Sequence, residues 1–212
     1  MADLEGLTAA IETGDRAAAT RATQQAIDEG DSPQAILDAM TAAMNNVGGR
    51  FQRNEIFVPE MLIAARAMKE ATALLEPLLV AADIRPEATA VIGTVKGDLH
   101  DIGKNLVGMM WKGANIEVID LGTNVSPERY VEAARSHDAR IIGISALLTT
   151  TMTGMADVVR AVRDAGMGDV RIILGGAPVT AEFAREIGAD GYAPDAGTAV
   201  EVVKAVLARS TR

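Results

Sequence analysis

Near Ala82 the apolar residues of this chain stop recurring at helical spacing, and from Ala88 they fall instead into short β-branched runs. This change of period constrains the fold more than any other feature, because one pattern suits a helix buried on one side and the other a strand buried on both. The first stretch is rich in Ala, Met, Leu, Glu and Gln, with Gly or Pro only at intervals, and it reads as a small helical bundle. Gly14-Asp15 and Gly30-Asp31-Ser32-Pro33 mark helix boundaries, the second with Ser32 at an N-cap and Pro33 at the first helical position. These breaks predict four helices, the third from Pro33 toward Val47 and the fourth from Pro59 to about Leu79. The segment from Gly48 to Val58 between them holds Phe51 and Phe57, two of the three phenylalanines in the chain.

The second stretch alternates strand-like and helix-like runs, with strands expected over Ala88–Val95, Glu117–Leu121, Arg140–Ser145, Val170–Leu174 and, weakly, Gly191–Ala193. Such alternation predicts an α/β, Rossmann-like domain with a five-stranded parallel sheet wrapped by helices, in the flavodoxin-like variant with strand order 2-1-3-4-5. The linker from Asp83 to Glu87, containing Pro86, is the expected boundary between a helical domain over 1–84 and the α/β domain over 85–212.

Composition narrows the partners. With 29 acidic and 20 basic side chains the formal charge is -9, which repels the phosphate backbone of nucleic acid. There is no cysteine, so disulfides, thiolate metal sites and cysteine nucleophiles are excluded together, and two histidines are too few for a typical catalytic zinc site. The N-terminus, with Asp3, Glu5 and Glu12, lacks the basic region and apolar core of a signal peptide. No apolar run reaches the roughly 20 residues a spanning helix needs, so no membrane partner and a cytoplasmic location are expected.

In an open α/β sheet, ligands bind beyond the carboxyl ends of the strands where strand order reverses. In the order 2-1-3-4-5 the loops after the first and third strands face one another there. The first of these loops, Gly97 to Asn105, offers Asp98, His100 and glycines; the other runs from Ser145 through Ala146, Leu147 and Leu148 to Thr149, Thr150 and Thr151. After the fourth strand come Gly175 and Gly176, where a ligand is expected to approach the backbone closely. His100 is a candidate metal ligand with a carboxylate two residues earlier to hold its tautomer. One imidazole holds a bare ion poorly. The metal is therefore expected to arrive inside a macrocycle of the tetrapyrrole type.

The segment Asp98-Leu99-His100-Asp101-Ile102-Gly103, with Ser145-Ala146-Leu147 and Gly175-Gly176 after it, resembles the D-x-H-x-x-G, S-x-L and G-G signature of cobalamin-binding domains. The helical half is similar to the cap domain of the same family, so the resemblance covers nearly the whole chain, and it is strongest to the corrinoid proteins of methanol- and methylamine-type methyltransferase systems. It implies a cobalamin or related corrinoid bound with His100 as lower axial ligand, and a hydrogen-bonded relay from His100 through Asp98 to Thr151, which stands where the family often has serine. Gly97, Leu99, Asp101, Ile102 and Gly103 would contact the cofactor. Ser145, Leu147, Thr149, Gly175, Gly176 and Ala196 would line the channel for its displaced nucleotide tail. Phe51, Val58 and Met61 match positions that cover the upper, methyl-bearing face. The implied activity is that of a methyl carrier, not catalytic alone, whose cobalt cycles between Co(I) and methyl-Co(III). The implied partners are a substrate-specific methyltransferase, a methyl-acceptor methyltransferase acting on tetrahydrofolate or a thiol, and a reductive activation protein.

Other readings of the same residues stay open in the sequence. The two-domain module also serves as a cobalamin-binding sensor when joined to a DNA-binding domain, which the acidic charge disfavours, and an unliganded flavodoxin-like interaction protein is a third possibility. Thr151 also fits the start of the following helix. Phe51, Phe57 and Met61 also fit an inter-helix core, and His137 fits a helix C-terminus, where it would interact with the dipole.

Overall fold

The computed structural model describes residues 4–209, so Asp3 and the outer ends of the two expected domains lie outside the described residues. Its contacts divide into two compact units, one formed by the helical stretch up to Pro86 with Gly113–Asn115, the other by Glu87–Lys112 and the chain from Ile116 onward.

The helical unit contains α1 (Leu4–Thr13), α2 (Arg16–Asp28), α3 (Pro33–Gln52) and α4 (Val58–Ala81). Asp15 caps α2 by accepting from the Ala18 amide at 2.9 Å, and Ser32 caps α3 by accepting from the Ala35 amide at 3.1 Å. One boundary differs from expectation: α3 passes straight through Gly48 and Gly49 and ends five residues later than Val47, at Gln52. Ile36, Leu37, Met40, Ala43, Met44 and Val47 form a continuous buried stripe on this helix. Burial of such a stripe outweighs the ~1 kcal/mol that each interior glycine costs. The helix stops instead where Asn54 takes a left-handed φ of 57°. The next helix begins at Val58, one residue before Pro59, with Glu60 accepting from the Phe57 amide at 3.0 Å. Within the unit α1 packs on α3, and α2 on α4.

The second unit runs β1 (Ala88–Thr94), α5 (Ile102–Gly113), β2 (Ile116–Asp120), α6 (Pro127–Ser136), β3 (Ile141–Ser145), α7 (Thr153–Asp164), β4 (Arg171–Gly175), α8 (Ala181–Glu186), β5 (Gly191–Ala193) and α9 (Ala196–Arg209). All five strands are parallel, in the order β2-β1-β3-β4-β5. The central strands are apolar on both faces, as helices on both sides of a parallel sheet require. His137 sits at the C-cap of α6, the helix terminus expected for it.

On one face, Val91, Ile142, Ile144 and Leu174 pack with Tyr130 of α6 and Met155, Val158 and Val162 of α7. The other face carries Trp111 of α5, buried and anchored by its indole N–H donating to the Ala199 carbonyl at 3.0 Å. Its ring lies over Gly143 in the middle of β3, so that a Cβ there would come within 2.8 Å of the indole Cη2. Gly143→Ala should therefore destabilise the protein by about 1–3 kcal/mol, the cost of overpacking a core that has no flexible atom to move. Urea unfolding should show a lower midpoint with an unchanged slope; a wild-type midpoint would mean that the indole can shift.

Candidate functional site

Strand register builds the floor of the site. Thr94 pairs with Ser145, Ser145 with Gly175, and Gly175 with Ala193, so the carboxyl ends of β1, β3, β4 and β5 form one row. Above this row opens a cavity of about 580 Å³, lined by the side chains of Ile92, Leu106, Trp111 and Ile173 on the sheet face that Gly143 shares. Leu99, His100, Asp101, Ile102 and Gly103 line it from the loop after β1, Ser145 and Leu147 from β3 and its loop, Gly175 and Gly176 from β4, and Ala196 from the start of α9.

Asp98 is the organising side chain. It is fully buried, and its Oδ1 accepts from the His100 amide at 3.1 Å and lies 2.8 Å from His100 Nδ1. Its Oδ2 accepts from the amides of Leu147 at 2.8 Å and Leu148 at 3.3 Å and from the Thr151 hydroxyl at 2.8 Å. Burial pushes the carboxyl up, but the hydrogen bonds from Leu147, His100 and Thr151 together hold it well below the usual carboxylate range. An ionised carboxylate only accepts, so the proton on the imidazole must sit on Nδ1. The lone pair then belongs to Nε2, on a side chain that is half exposed. The His100 carbonyl is fixed as well, accepting from the buried Thr94 hydroxyl at 2.8 Å.

Thr151 lies in the turn before α7 rather than capping it; α7 begins at Thr153. Its hydroxyl is also 2.9 Å from the Leu148 carbonyl, but the charged Asp98 is the stronger acceptor. The same turn carries Thr149 outward, where it is exposed and does not line the cavity. Gly97 and Asp98 lie beneath the histidine turn, outside the cavity lining. Gly176 has φ 130°, and a Cβ there would meet the Ala146 carbonyl oxygen at 1.9 Å. The chain's own backbone therefore already requires glycine at this position. In the helical unit, Phe51 in the last turn of α3 and Val58 at the start of α4 are partly buried, Met61 is fully buried and Phe57 is exposed.

Two supporting groups escaped the sequence reading. Asn124, in the loop after β2, donates its backbone N–H to the Asp98 carbonyl at 3.0 Å and accepts from the Gly97 amide at 2.8 Å through its side-chain oxygen, and so holds the turn. Lys104 is buried in the first turn of α5, its ammonium 2.6 Å from both Asp120 oxygens and from Asn105 Oδ1. Asp120 ends β2 and also accepts from the Gly122 amide. Only the loops' proximity reveals these roles, and a single sequence carries no signal for it.

Among the described residues no three His, Cys, Asp or Glu side chains converge to hold a metal ion. The donor set is one imidazole at the mouth of an apolar cavity, flanked by Leu99 and Ile102, which are 73% and 76% exposed. This fits a metal whose other ligands come with an apolar macrocycle. No helix among the described residues is long and apolar enough to cross a membrane.

Comparison with known proteins agrees with that fit. Residues 88–201 match a family described as a B12 binding domain, and residues 3–76 match a second family of the same description. Dimethylamine corrinoid protein 3 of Methanosarcina acetivorans is 39% identical, over 98% of this chain and 100% of its own length. A cobalamin-binding protein from Desulfitobacterium hafniense superposes with a TM-score of 0.81 at 29% identity, covering 96% of this chain and 98% of that one. A chain of the methanol:cobalamin methyltransferase complex of Methanosarcina barkeri superposes with a TM-score of 0.86 at 27% identity, covering 97% of this chain and 79% of that one.

The burial of Asp98 sets a stability test. Asp98→Asn turns one acceptor into a donor facing an N–H, which should cost about 1–3 kcal/mol. Because folding lowers this carboxyl's pKa from an ordinary 3.8, its contribution is complete above that value and is lost as pH falls through the folded pKa. The stability difference between wild type and variant, followed by urea unfolding, should be level from about pH 5 to 7 and shrink only below about pH 4. A difference that shrinks between pH 5 and 7 would show that the carboxyl is not held ionised.

Proposed function

This chain belongs to the B12-binding corrinoid proteins of methyltransferase systems, and from that membership we propose that it carries a methyl group between two methyltransferases, with His100 as the lower ligand of its cofactor. The cofactor is cobalamin or a related corrinoid. When bound, it supplies a cobalt centre that can accept and release a methyl group. The observation that carries the reading is the state of His100: Nδ1 is held by an ionised Asp98 at 2.8 Å, and Nε2 is left with its lone pair at the mouth of a cavity.

The chain's own residues then have separate tasks. Asp98 fixes the histidine tautomer and makes Nε2 a better donor. Thr151 donates to the opposite carboxylate oxygen, 2.8 Å away, so any proton gained or lost by His100 is felt through Asp98 at Thr151. Ser145, Leu147, Gly175, Gly176 and Ala196 line the space offered to the nucleotide tail. The exposed Leu99 and Ile102 would give a bound corrinoid an apolar seat.

The carrier works with a substrate-specific methyltransferase on one side and, on the other, a methyltransferase acting on tetrahydrofolate or a thiol, with a reductive activation protein to restore the cofactor. Relatives named for dimethylamine make a methylamine methyltransferase the first donor partner to test.

His100→Ala, reconstituted with hydroxocobalamin, should bind at least about tenfold more weakly or shift its visible spectrum to a form without a lower nitrogen ligand, since second-contact and ligand losses at metal sites are of this size. Wild-type affinity with a wild-type spectrum would remove His100 from the metal. Thr151→Val should keep the cofactor but move the pH midpoint of axial ligation, whereas Thr151→Ser should not; identical titrations for all three proteins would exclude Thr151 from the relay. Carrier activity is read as methyl loading of the reconstituted protein by a methylamine or methanol methyltransferase. Failure to load with every such enzyme would leave a corrinoid-binding protein that is not a carrier.

A further inference from the structure

We propose that Lys104 is a positioning residue for cofactor ligation: its buried ion pair with Asp120 clamps the outgoing side of the His100 turn and so sets where the imidazole stands. The proposal rests on the corrinoid reading above and concerns what holds the ligand in place for that cofactor.

Lys104 breaks two rules at once. It is a cation in the first turn of α5, where the free amides of a helix start favour negative charge, and it is only 3% exposed, so its ammonium has lost nearly all contact with water. Its three donors are matched by three acceptors, Asp120 Oδ1, Asp120 Oδ2 and Asn105 Oδ1, each at 2.6 Å. A buried ion pair nevertheless adds little net stability, since an apolar pair of similar volume does as well or better. What it supplies is a fixed distance between two pieces of chain.

Those pieces are the end of β2 and the residues that follow His100. Asp120 is itself held, because its Oδ1 accepts from the Gly122 amide at 2.8 Å and the Gly122 carbonyl accepts from the Thr94 amide at 3.0 Å. From Lys104 the connection runs back toward the histidine. Asn105, which accepts from the ammonium, donates its side-chain amide to the Asp101 carboxylate at 3.1 Å and its backbone N–H to the Asp101 carbonyl at 2.8 Å. Asp101 directly follows His100. On the incoming side, Asn124 holds Gly97 and Asp98. The turn is therefore gripped twice by the chain leaving β2, before the histidine by Asn124 and after it by Asp120. Asp98 decides which way the imidazole faces, and the second grip decides how far the turn can slide. A metal–nitrogen bond tolerates errors of only about 0.2 Å, so sliding matters.

The test uses the full chain, freed of cofactor and titrated with hydroxocobalamin, with its two histidines isotopically labelled at nitrogen. In the cobalt(II) form the EPR splitting then tells the protein's nitrogen from the cofactor's own base, while urea unfolding reads stability. The double variant Lys104→Met/Asp120→Asn removes both charges and keeps the oxygen that accepts from Gly122. It should unfold at a urea concentration no lower than wild type, yet bind about tenfold more weakly or with a smaller histidine-ligated fraction. Lys104→Met alone, which leaves a half-exposed Asp120 in contact with water, should lose as much binding as the double variant, because the two residues act as a unit. Wild-type binding and splitting in the double variant would overturn the clamp, as would clearly unequal losses in the two variants. Weaker binding accompanied by a lower unfolding midpoint would also overturn it, since the pair would then hold the fold and not the ligand. A wild-type chain that takes up no hydroxocobalamin would overturn the corrinoid reading itself; one that takes it up without labelled splitting would remove His100 from the metal, and the clamp with it.

Discussion

The site depends on one buried carboxylate. Asp98 gathers five donors from two loops, and with no solvent to replace them each is an obligatory partner. It therefore does more than support an imidazole. It ties the loop after β1 to the loop after β3 across the reversal of strand order, the place where the two loops leave adjacent strands in opposite directions. Asn124 adds the loop after β2 to the same knot through the Asp98 carbonyl. Three loops that would otherwise move independently are fixed by groups whose own positions follow from the sheet beneath them.

That sheet sets the precision. Because Thr94, Ser145, Gly175 and Ala193 share one row, a shift of register in any strand would displace a whole loop along the strand axis, by about 3.3 Å per residue. The threonine at the end of β1 then transmits the row's position directly, its hydroxyl holding the carbonyl of His100. Geometry at the imidazole is thus inherited from strand pairing, while the nitrogen that faces the carboxylate is set by Asp98.

Much of this was legible in the residues alone. The shift from helical to strand spacing predicted both halves, and the periodicity of β-branched runs predicted the five strands to within about one residue at most ends. The Asp98 and His100 pair was visible because a carboxylate and an imidazole two positions apart after a strand have few structural reasons to coincide. What failed did so for identifiable causes. The pair Gly48-Gly49 reads locally as a break, but the buried stripe ending at Val47 carries the helix through it. Thr149 and Thr151 are indistinguishable in composition, and only the turn decides that one faces water and the other Asp98. Gly176 was singled out for a ligand's approach, and a second reason for glycine, the nearby Ala146 carbonyl, could not be read from the residues alone. Lys104 gave no signal at all, because burial of a lysine is a property of what surrounds it, and Asp120 lies sixteen positions away.

Trp111 was described above as a packing element over Gly143, yet it is also the single tryptophan of the chain and stands in the cavity wall. Its emission is undiluted by that of any other indole. Any chromophore absorbing in the near ultraviolet or blue, seated against that wall, accepts its excitation by resonance transfer. The fold thus carries an intrinsic optical gauge of its own occupancy, one that reports filling of the cavity without a label and without the partner proteins.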